Sequence, residues 1–226
     1  MKRNKGLEIV YEDSDLIVVN KPGGLLTMAT DRGDDVTAYS VLTDYVRRES
    51  PRSRIFIVHR LDRDTSGLLI FAKNPETKHA LQDYWNEAVR ERIYVALTEG
   101  APDPPEGICV SWLKDNPKSF KVSSCPYDNG GRKAVTHYRQ IGAFGDYALV
   151  EFELETGRKN QIRVHAAQMG HPIAGDRKYG AATSPIRRLA LHARSIVFTH
   201  PWTGETLSFD TGIPGEFRLR QCRQER

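Results

Sequence analysis

The sequence predicts an α+β fold in which a mixed, mainly antiparallel central sheet carries flanking helices and loops. Three observations support this class. Short strand-like segments come in neighbouring pairs around turn residues, as at residues 7–11 and 16–20. Val150, Phe152 and Leu154 alternate with glutamates, which is the period-two pattern of a sheet with one wet face. Few helical patterns separate consecutive strands, and the sequence has no Gly-x-Gly-x-x-Gly or Walker segment, which disfavours a doubly wound dinucleotide-binding sheet.

The first part of the chain contains two predicted strands and one predicted helix. Residues 7–11 and 16–20 form the strands, and Lys21-Pro22-Gly23-Gly24 ends the second of them. Helical spacing follows over residues 37–48, where the residues of the apolar face are Ala38, Val41, Leu42, Tyr45 and Val46.

The middle of the chain begins with a strong helix-start signal. Asn74 can cap a helix, Pro75 fits its first turn, and Glu76 lies near the positive end of its dipole. A strand is predicted over residues 93–98, and the Pro-rich passage at residues 102–116 is predicted to be a loose surface excursion. The buried stripe of the helix is predicted to contain Ala80, Leu81, Tyr84, Trp85 and Ala88.

The last part of the chain contains a predicted helix and a predicted hairpin. The hairpin joins strands at residues 196–199 and 206–209 through the loop Pro201-Trp202-Thr203-Gly204. The helix covers residues 159–169, and its core-facing residues are Ile162, Ala166 and Met169.

Composition bounds the classes of function. The 226 residues suffice for one large domain or two small ones, and 39% hydrophobic with 27% charged residues is typical of a soluble protein. No apolar run is long enough to span a bilayer, and no signal peptide is evident. Cys109, Cys125 and Cys222 lack metal-site spacing and suit a reducing cytoplasm, where we expect the protein to work. The net charge of +4 permits an RNA partner without requiring one.

The most informative segment is His59-Arg60-Leu61-Asp62-Arg63-Asp64-Thr65-Ser66-Gly67, followed by an apolar run. It places a carboxylate between two arginines and before a predicted Thr-Ser-Gly turn. Asp62 therefore has two interpretations. It can cap the turn by accepting hydrogen bonds from Thr65 or Ser66. Alternatively it serves chemistry, because charged groups beside an apolar segment are costly without a function or a partner.

A second basic segment, Glu155-Thr156-Gly157-Arg158-Lys159-Asn160-Gln161-Ile162-Arg163, opens the predicted helix at residue 159. Helix starts favour anions, so Arg158 and Lys159 are either phosphate contacts or merely solvated charges. Arg163 lies at the border of the buried stripe, and we expect it to form a bidentate pair with a carboxylate. Asp62 is a fitting partner, and a surface glutamate is the alternative.

Two further residues have open interpretations. Asp176, in the loop-like segment at residues 170–180, either ligates or catalyses, or it accepts hydrogen bonds in a turn. Tyr94 shares one strand face with Ala96 and Thr98, the less apolar side. It is either a half-buried sheet residue or an aromatic wall on which a base stacks.

The chain resembles the RluA-type RNA pseudouridine synthases in the order and spacing of five segments. Those segments are residues 16–25, residues 59–73, the strand with Tyr94, residues 156–165 continuing into 170–180, and residues 191–193 with 200–205. Three departures from the family pattern are visible: Asn160 stands where His is common, Arg92 replaces a frequent Lys, and Asp210-Thr211 replaces an Ala-Pro pair.

This resemblance implies a pseudouridine synthase fold forming one catalytic domain over residues 1–226, without the N-terminal S4 domain of many relatives. RNA recognition is then expected to rest on the catalytic domain itself. The basic tail at residues 218–226 is either solvated, which we prefer, or an arm that grips RNA.

The reaction implied by the resemblance is the isomerisation of uridine to pseudouridine in ribosomal or transfer RNA, with the base flipped out of its stack. It makes Asp62 the catalytic nucleophile, with Arg60 aiding flipping, Tyr94 stacking on the base and Arg163 orienting the carboxylate. The predicted RNA contacts are His59, Arg60, Lys21, Arg158 and Lys159. No metal or organic cofactor is implied, and we expect a monomer.

Two other classes of function stay open at this point. A non-catalytic RNA-binding or ribosome-assembly module on the same fold would keep its biological activity after Asp62→Asn. A hydrolase that used Asp62 and Asp64 as paired carboxylates would release free uracil or sugar. The predicted turn disfavours the hydrolase, because the two side chains would not share a strand face.

Overall fold

A computed structural model describes residues 6–29, 36–116, 121–128 and 130–219. The chain divides into unit one, Met1–Glu91 with Ala193–Gly212, and unit two, Arg92–His192 with Ile213–Arg226. None of the helices in the described part of the chain has the length and hydropathy that a membrane crossing requires. The single catalytic domain stays a prediction, and the basic tail lies outside the described residues from residue 220 onward.

The described residues form eleven strands and four α-helices. Short 3₁₀ turns lie at Arg177–Tyr179 and Gly215–Phe217. The helices are α1 (Ala38–Val46), α2 (Pro75–Asp83), α3 (Trp85–Ala88) and α4 (Gln161–Gln168). The strands are β1 (Glu8–Glu12), β2 (Leu16–Lys21), β3 (Phe56–Ile57), β4 (Ser66–Ala72), β5 (Val89–Glu99), β6 (Glu106–Asp115), β7 (Val122–Cys125), β8 (Arg132–Phe144), β9 (Tyr147–Leu154), β10 (Leu191–Thr199) and β11 (Thr206–Asp210).

Unit one contains strands in the order β1-β2-β4-β10, with β3 paired to β4 and β11 paired to β10. The pairs β1–β2, β2–β4, β3–β4 and β10–β11 are antiparallel. All seven residues of β4 are buried, so both faces of this strand are covered. The β10–β11 hairpin confirms the pairing predicted around residues 201–204.

Unit two contains strands in the order β5-β9-β8-β6-β7, with antiparallel partners throughout this series. Val150 and Phe152 of β9 are fully buried whereas Glu153 is exposed, which confirms the period-two prediction. Ile162 and Ala166 of α4 pack in the same apolar cluster as Phe152. Helix α4 and the polar groups of its first turn therefore lie on this antiparallel sheet.

The start of α2 follows the predicted capping chemistry, and the start of α1 adds a cap that the sequence analysis did not predict. Asn74 Oδ1 accepts a hydrogen bond from the Thr77 N–H over 2.7 Å, and Pro75 occupies the first position of α2. Thr37 and Ser40 form a reciprocal capping box at the start of α1, with both hydrogen bonds at 3.0 Å. These local interactions fix where each helix begins.

Three predictions about elements are wrong. The passage predicted as a loose excursion contains β6, a ten-residue strand paired to β7 and β8. Its Gly107 and Ser111 weakened the strand signal, and cross-strand pairing overrides that weakness. Tyr84 is 64% exposed, outside the predicted stripe, because α2 ends at Asp83 and the chain leaves helical geometry at Tyr84. The strand that carries Tyr94 has no less apolar side at residues 95–97, since Val95, Ala96 and Leu97 are all fully buried.

Candidate active site

Asp62 lies in unit one on a turn that leads into β4. The Thr65 N–H donates to the carbonyl of Asp62 over 3.2 Å, so the turn covers residues 62–65. The predicted Thr-Ser-Gly turn is therefore displaced, because Ser66 and Gly67 already belong to the strand. The Asp62 side chain is partly exposed. The geometry places an accessible carboxylate directly before a fully buried strand.

The loop that carries Asp62 is fixed by contacts on both sides of that residue. Before it, Thr27 Oγ1 donates to the Leu61 carbonyl over 3.0 Å and accepts from the Leu61 N–H over 3.3 Å. After it, the Arg63 carbonyl accepts from the Gly24 N–H over 2.9 Å, and Arg63 Nε donates to the Gly24 carbonyl over 3.2 Å. These bonds hold the backbone on either side of the carboxylate.

Lys21 supports the same loop through hydrogen bonds from its ammonium group. Its side chain is fully buried. The ammonium donates to the carbonyls of Leu25, Arg63 and Pro22 over 2.7, 3.0 and 3.1 Å. These three acceptors match the three protons of an ammonium group. The structure thus gives Lys21 a supporting role within the loop, and its predicted contact with RNA stays a prediction.

His59 and Arg60 precede Asp62 and differ in exposure. His59 Nε2 accepts from the Ile70 N–H of β4 over 3.0 Å, and its ring lies 4.8 Å from that of Trp85. The accepting nitrogen carries no proton, so this bond anchors the loop to the strand. Arg60 is exposed, with Nη1 3.9 Å from Met28 Sδ. Arg60 is thus the side chain of the pair that solvent, or an RNA, can reach.

Tyr94 lies in unit two, on β5 opposite Phe152 of β9. It is partly buried and packs against the apolar cluster of that unit. Arg92, two residues earlier, donates from Nη2 to the carbonyls of Leu154 and Glu155 over 3.0 and 2.9 Å. Burial lowers the pKa of Arg92. Arg92 fixes the end of β9, from which the chain runs towards α4.

The first turn of α4 is supported by a buried polar network that sequence reasoning missed. Gln161 Oε1 accepts from Thr156 Oγ1 and the Arg158 N–H over 2.8 and 2.9 Å, and Gln161 Nε2 donates to Thr136 Oγ1 over 2.8 Å. The ring nitrogens of His165 lie 2.8 Å from the hydroxyls of Ser111 and Thr136. No local pattern reveals the partners Ser111 and Thr136, because they come from β6 and β8.

His165 is neutral within this network. Its side chain is fully buried. Burial lowers the pKa of His165 from its ordinary 6.5 to about 4, because the low-dielectric interior disfavours the charged ring. A neutral imidazole between the hydroxyls of Ser111 and Thr136 holds α4 against β6 and β8.

Arg163 forms the bidentate carboxylate pair that its position predicted. Its Nε and Nη2 donate to Asp176 Oδ2 and Oδ1 over 2.6 and 2.8 Å. The Arg163 side chain is 12% exposed and that of Asp176 is 1% exposed. The partner is therefore neither a surface glutamate nor a simple turn acceptor. The predicted pair of Arg163 with Asp62, which joins residues of the two units, stays a prediction.

Arg158 and Lys159 are exposed residues just before α4. Arg158 Nε donates to the Lys133 carbonyl over 3.0 Å. Lys159 Nζ lies 2.8 Å from Asp115 Oδ1, in a pair whose members are both about half exposed. Such an exposed pair contributes little stability. Arg158 and Lys159 are therefore both accessible to the phosphate backbone of a nucleic acid.

One group among the described residues has the side chains of a metal site, namely Asp13, Asp15 and His200. His200 is buried, with Nε2 3.3 Å from Asp13 Oδ2. However, His200 Nδ1 accepts from the N–H groups of Trp202 and Thr203 over 3.3 and 3.2 Å. The proton therefore sits on Nε2, and these residues do not fit a metal ion without loss of both bonds.

The predicted site residues divide between the two units. Lys21, His59, Arg60 and Asp62 belong to unit one, where they form or support a single loop. Tyr94, Arg158, Lys159 and Arg163 belong to unit two, where the last three lie at the start of α4. The residues that sequence reasoning left out, or gave a different role, are Gln161, His165 and Asp176.

Comparison with known proteins agrees with this set of segments. Residues 15–168 match the family described as RNA pseudouridylate synthase. An uncharacterised RNA pseudouridine synthase of Synechocystis sp. is 36% identical over 222 residues, which cover 95% of this chain and 68% of that protein. The ribosomal large subunit pseudouridine synthase D of Neisseria meningitidis is 36% identical over 93% of this chain and 59% of its own length.

A solved structure extends the likeness to three dimensions. Human RNA pseudouridylate synthase domain containing 4 superposes with a TM-score of 0.75 at 25% identity, over 93% of this chain and 90% of that one. The α+β pseudouridine synthase fold is thus confirmed. The chain belongs to the RluA-type RNA pseudouridylate synthase family, and it is an isomerase that converts uridine in RNA to pseudouridine.

Proposed function

We propose that Asp62 supplies the carboxylate on which this isomerisation depends. The observation that carries the proposal is the Asp62 turn itself: a partly exposed carboxylate on a loop held by Thr27, Gly24 and the buried ammonium of Lys21. Preorganisation of this kind lowers the entropic cost of bringing a reacting group to its substrate. The buried strand β4 behind the turn gives the loop a rigid base.

The reaction needs no net redox step or hydrolysis. The glycosidic bond from ribose C1′ to N1 breaks and a bond from C1′ to C5 forms. The proton on C5 passes to solvent and N1 takes up a proton, so the product is an isomer of the substrate. Asp62 either attacks C1′ as a nucleophile or accepts a proton from the ribose, and both routes return a free carboxylate. The uridine must leave its stack before either route begins.

The other predicted residues have supporting roles in this proposal. Exposed Arg60 aids the flipping of the base, Tyr94 stacks on the extruded uracil, and Arg163 orients the carboxylate. Arg158 and Lys159 contact phosphates of the RNA, and His59 anchors the catalytic loop beside the RNA path. Lys21 acts only through the loop that it supports.

We propose ribosomal or transfer RNA as the substrate class, with large-subunit ribosomal RNA the first to test. Relatives from Neisseria meningitidis and Zymomonas mobilis that are 36% and 34% identical are named ribosomal large subunit pseudouridine synthase D. We further propose that the enzyme works as a monomer in the cytoplasm. Free thiols at Cys109 and Cys125 are compatible with that reducing compartment.

The test is tritium release from RNA carrying carbon-5-labelled uridine. Large-subunit ribosomal RNA, small-subunit ribosomal RNA and transfer RNA are purified from cells that lack the gene and are assayed separately with wild type and Asp62→Ala. We expect release from one pool by wild type and none by the variant. Equal release by both proteins contradicts the role of Asp62, and free uracil among the products would identify a hydrolase.

A further inference from the structure

The Arg163 guanidinium is held by more than its buried carboxylate partner. Besides the two bonds to Asp176, Nη1 donates to Asn160 Oδ1 over 3.2 Å. The guanidinium carbon also lies 5.1 Å from the ring centroid of Tyr179, within the range of a cation–π contact. Asp176, Asn160 and Tyr179 therefore constrain two edges and one face of the forked guanidinium group.

Asn160 connects these constraints. Its Nδ2 donates to Tyr179 Oη over 2.9 Å, while its Oδ1 accepts from Arg163. Tyr179 Oη is fixed in turn, because it also accepts from the Val122 N–H over 3.0 Å. The amide of Asn160 thus bridges the cation and the ring that lies beneath it.

The backbone of Asn160 is adapted to this bridge. Its φ of 54° and ψ of 20° lie in the left-handed region, at the residue just before α4. Asparagine enters this region more readily than most residues because of its short polar side chain. The left-handed turn is what ends the segment from Arg158 and begins the helix at Gln161, so helix start and amide bridge depend on one residue.

The backbone of Asp176 is also fixed by hydrogen bonds. Its backbone carbonyl accepts from the N–H groups of Tyr179 and Ala181 over 3.0 and 3.1 Å. The loop that presents its carboxylate is thereby closed on itself. A charged pair buried to this degree is retained only with good geometry and further hydrogen bonds, and the Asn160 contact is one of them.

We propose that Asn160 and Asp176 are positioning residues, which fix the plane of Arg163 and thereby set the rate of the isomerisation. The inference rests on the proposed function, in which Arg163 orients the catalytic carboxylate. Asp176 supplies charge and two bonds, while Asn160 sets the rotation of the fork about its long axis. Loss of the Asn160 amide should slow the chemical step and leave RNA binding unchanged.

The test distinguishes the contribution of the Asn160 side-chain amide from that of its left-handed backbone. Asn160→Gly keeps the left-handed conformation without strain and removes both side-chain bonds. Asn160→Asp keeps the acceptor for Arg163, and Tyr179 can then donate its own hydroxyl proton to the new carboxylate. The matched control is Arg187→Gly, which changes the other described non-glycine residue with positive φ, an exposed position outside this network.

We expect kcat for tritium release to fall about tenfold or more in Asn160→Gly, with KM within about twofold of wild type. Asn160→Asp should restore kcat to within about threefold of wild type, and Arg187→Gly should leave kcat unchanged. Thermal unfolding of all three variants checks that each is folded at the assay temperature. A merely structural role for Asn160 would lower the melting temperature without this split between kcat and KM.

Wild-type kcat in Asn160→Gly, or equal losses in Asn160→Gly and Asn160→Asp, would overturn the inference. A second readout is the Nε–H signal of Arg163 in a ¹⁵N-edited NMR spectrum, assigned by its loss in Arg163→Lys. Protection of this proton from exchange should fall in Asn160→Gly and persist in Asn160→Asp. A wild-type enzyme that releases no tritium from any RNA contradicts the proposed function itself, which is a distinct failure.

Discussion

The Asp62 loop of unit one and the α4 start of unit two hold their functional groups in opposite ways. The loop is held mainly through its backbone carbonyls and N–H groups, and its carboxylate stays partly exposed. The α4 start is held through side chains, in one buried group that pairs Arg163 with Asp176 and another that includes Gln161 and His165. A loop held by its backbone leaves its side chain available for chemistry, whereas a network of side chains fixes its members against each other.

The largest expected loss of stability is that of Gly67→Ala, at the start of the strand β4 that follows the Asp62 loop. A Cβ at Gly67 would lie 2.1 Å from the carbonyl oxygen of Ala193, and its φ of 115° is strained for any other residue. We expect a loss of about 4 kcal/mol in the free energy of unfolding, from backbone displacement and left-handed strain together. Urea denaturation measures it.

Gly204→Ala provides the matched control for this clash. Gly204 also has positive φ, at 71°, yet nothing lies within 4 Å of its added Cβ. The control should lose only about 1 kcal/mol. Equal losses in both variants would show that the close approach to Ala193 is unimportant.

Lys21→Met tests the support of the Asp62 loop. The change leaves the carbonyls of Leu25 and Pro22 without the ammonium they accept from, so we expect a loss of about 3 kcal/mol in the free energy of unfolding. Lys114→Met, at an exposed position of β6, should change stability by less than about 0.5 kcal/mol. A stable Lys21→Met protein with weakened RNA binding would instead indicate that Lys21 contacts RNA.

His165 gives the side-chain network a pH signature. Its pKa of about 4 in the folded protein lies below the ordinary 6.5, so the unfolded chain binds the proton more readily. The stability that depends on neutral His165 is complete above pH 6.5 and is lost as the pH falls towards 4, by about 3 kcal/mol in total.

The measurement compares wild type with His165→Gln by urea denaturation at several pH values between 4 and 7.5. The difference between the two proteins should shrink as the pH falls through this window. His79→Gln, which alters an exposed imidazole on α2, is the control and should leave the pH dependence unchanged. An unchanged pH dependence in His165→Gln would contradict a neutral buried ring.

The smallest expected effect is at the start of α2. Asn74→Ala removes the acceptor for the Thr77 N–H and should cost about 1 kcal/mol of unfolding free energy. Asn74→Asp keeps an acceptor oxygen and should stay near wild type in the same denaturation assay. A loss in the aspartate variant equal to that in the alanine variant would place the contribution in the Asn74 Nδ2 contact with Asp15 instead.

The sequence analysis was accurate where the determinants are local. The cap at Asn74 and the alternation in β9 both depend on residues close together in the chain. The local sequence allows two interpretations of Asp176, because its partner Arg163 lies thirteen positions earlier in a different element. The position of Arg163 on its helix nevertheless predicted that a bidentate carboxylate would be found.

The error at β6 reflects the dominance of long-range pairing over local propensity. Gly107 and Ser111 weaken the local strand signal of β6, and its antiparallel pairing to β8 nevertheless forms the strand. Lys21 carries the positive charge expected of an RNA contact, but the structure buries its side chain among the carbonyls of the loop. Polar residues in a fold of this kind are therefore assigned reliably only when their partners are known.

The central claim is that Asp62 carries the chemistry and is not needed for binding. The most direct measurement determines both the RNA affinity and the rate of tritium release for Asp62→Asn, with Asp64→Asn in the same turn as its control. Asp62→Asn should bind RNA within about threefold of wild type, while its release rate falls by about 10⁴-fold or more. Asp64→Asn should keep both properties. An Asp62→Asn enzyme that retains about a tenth or more of the wild-type rate would contradict the account.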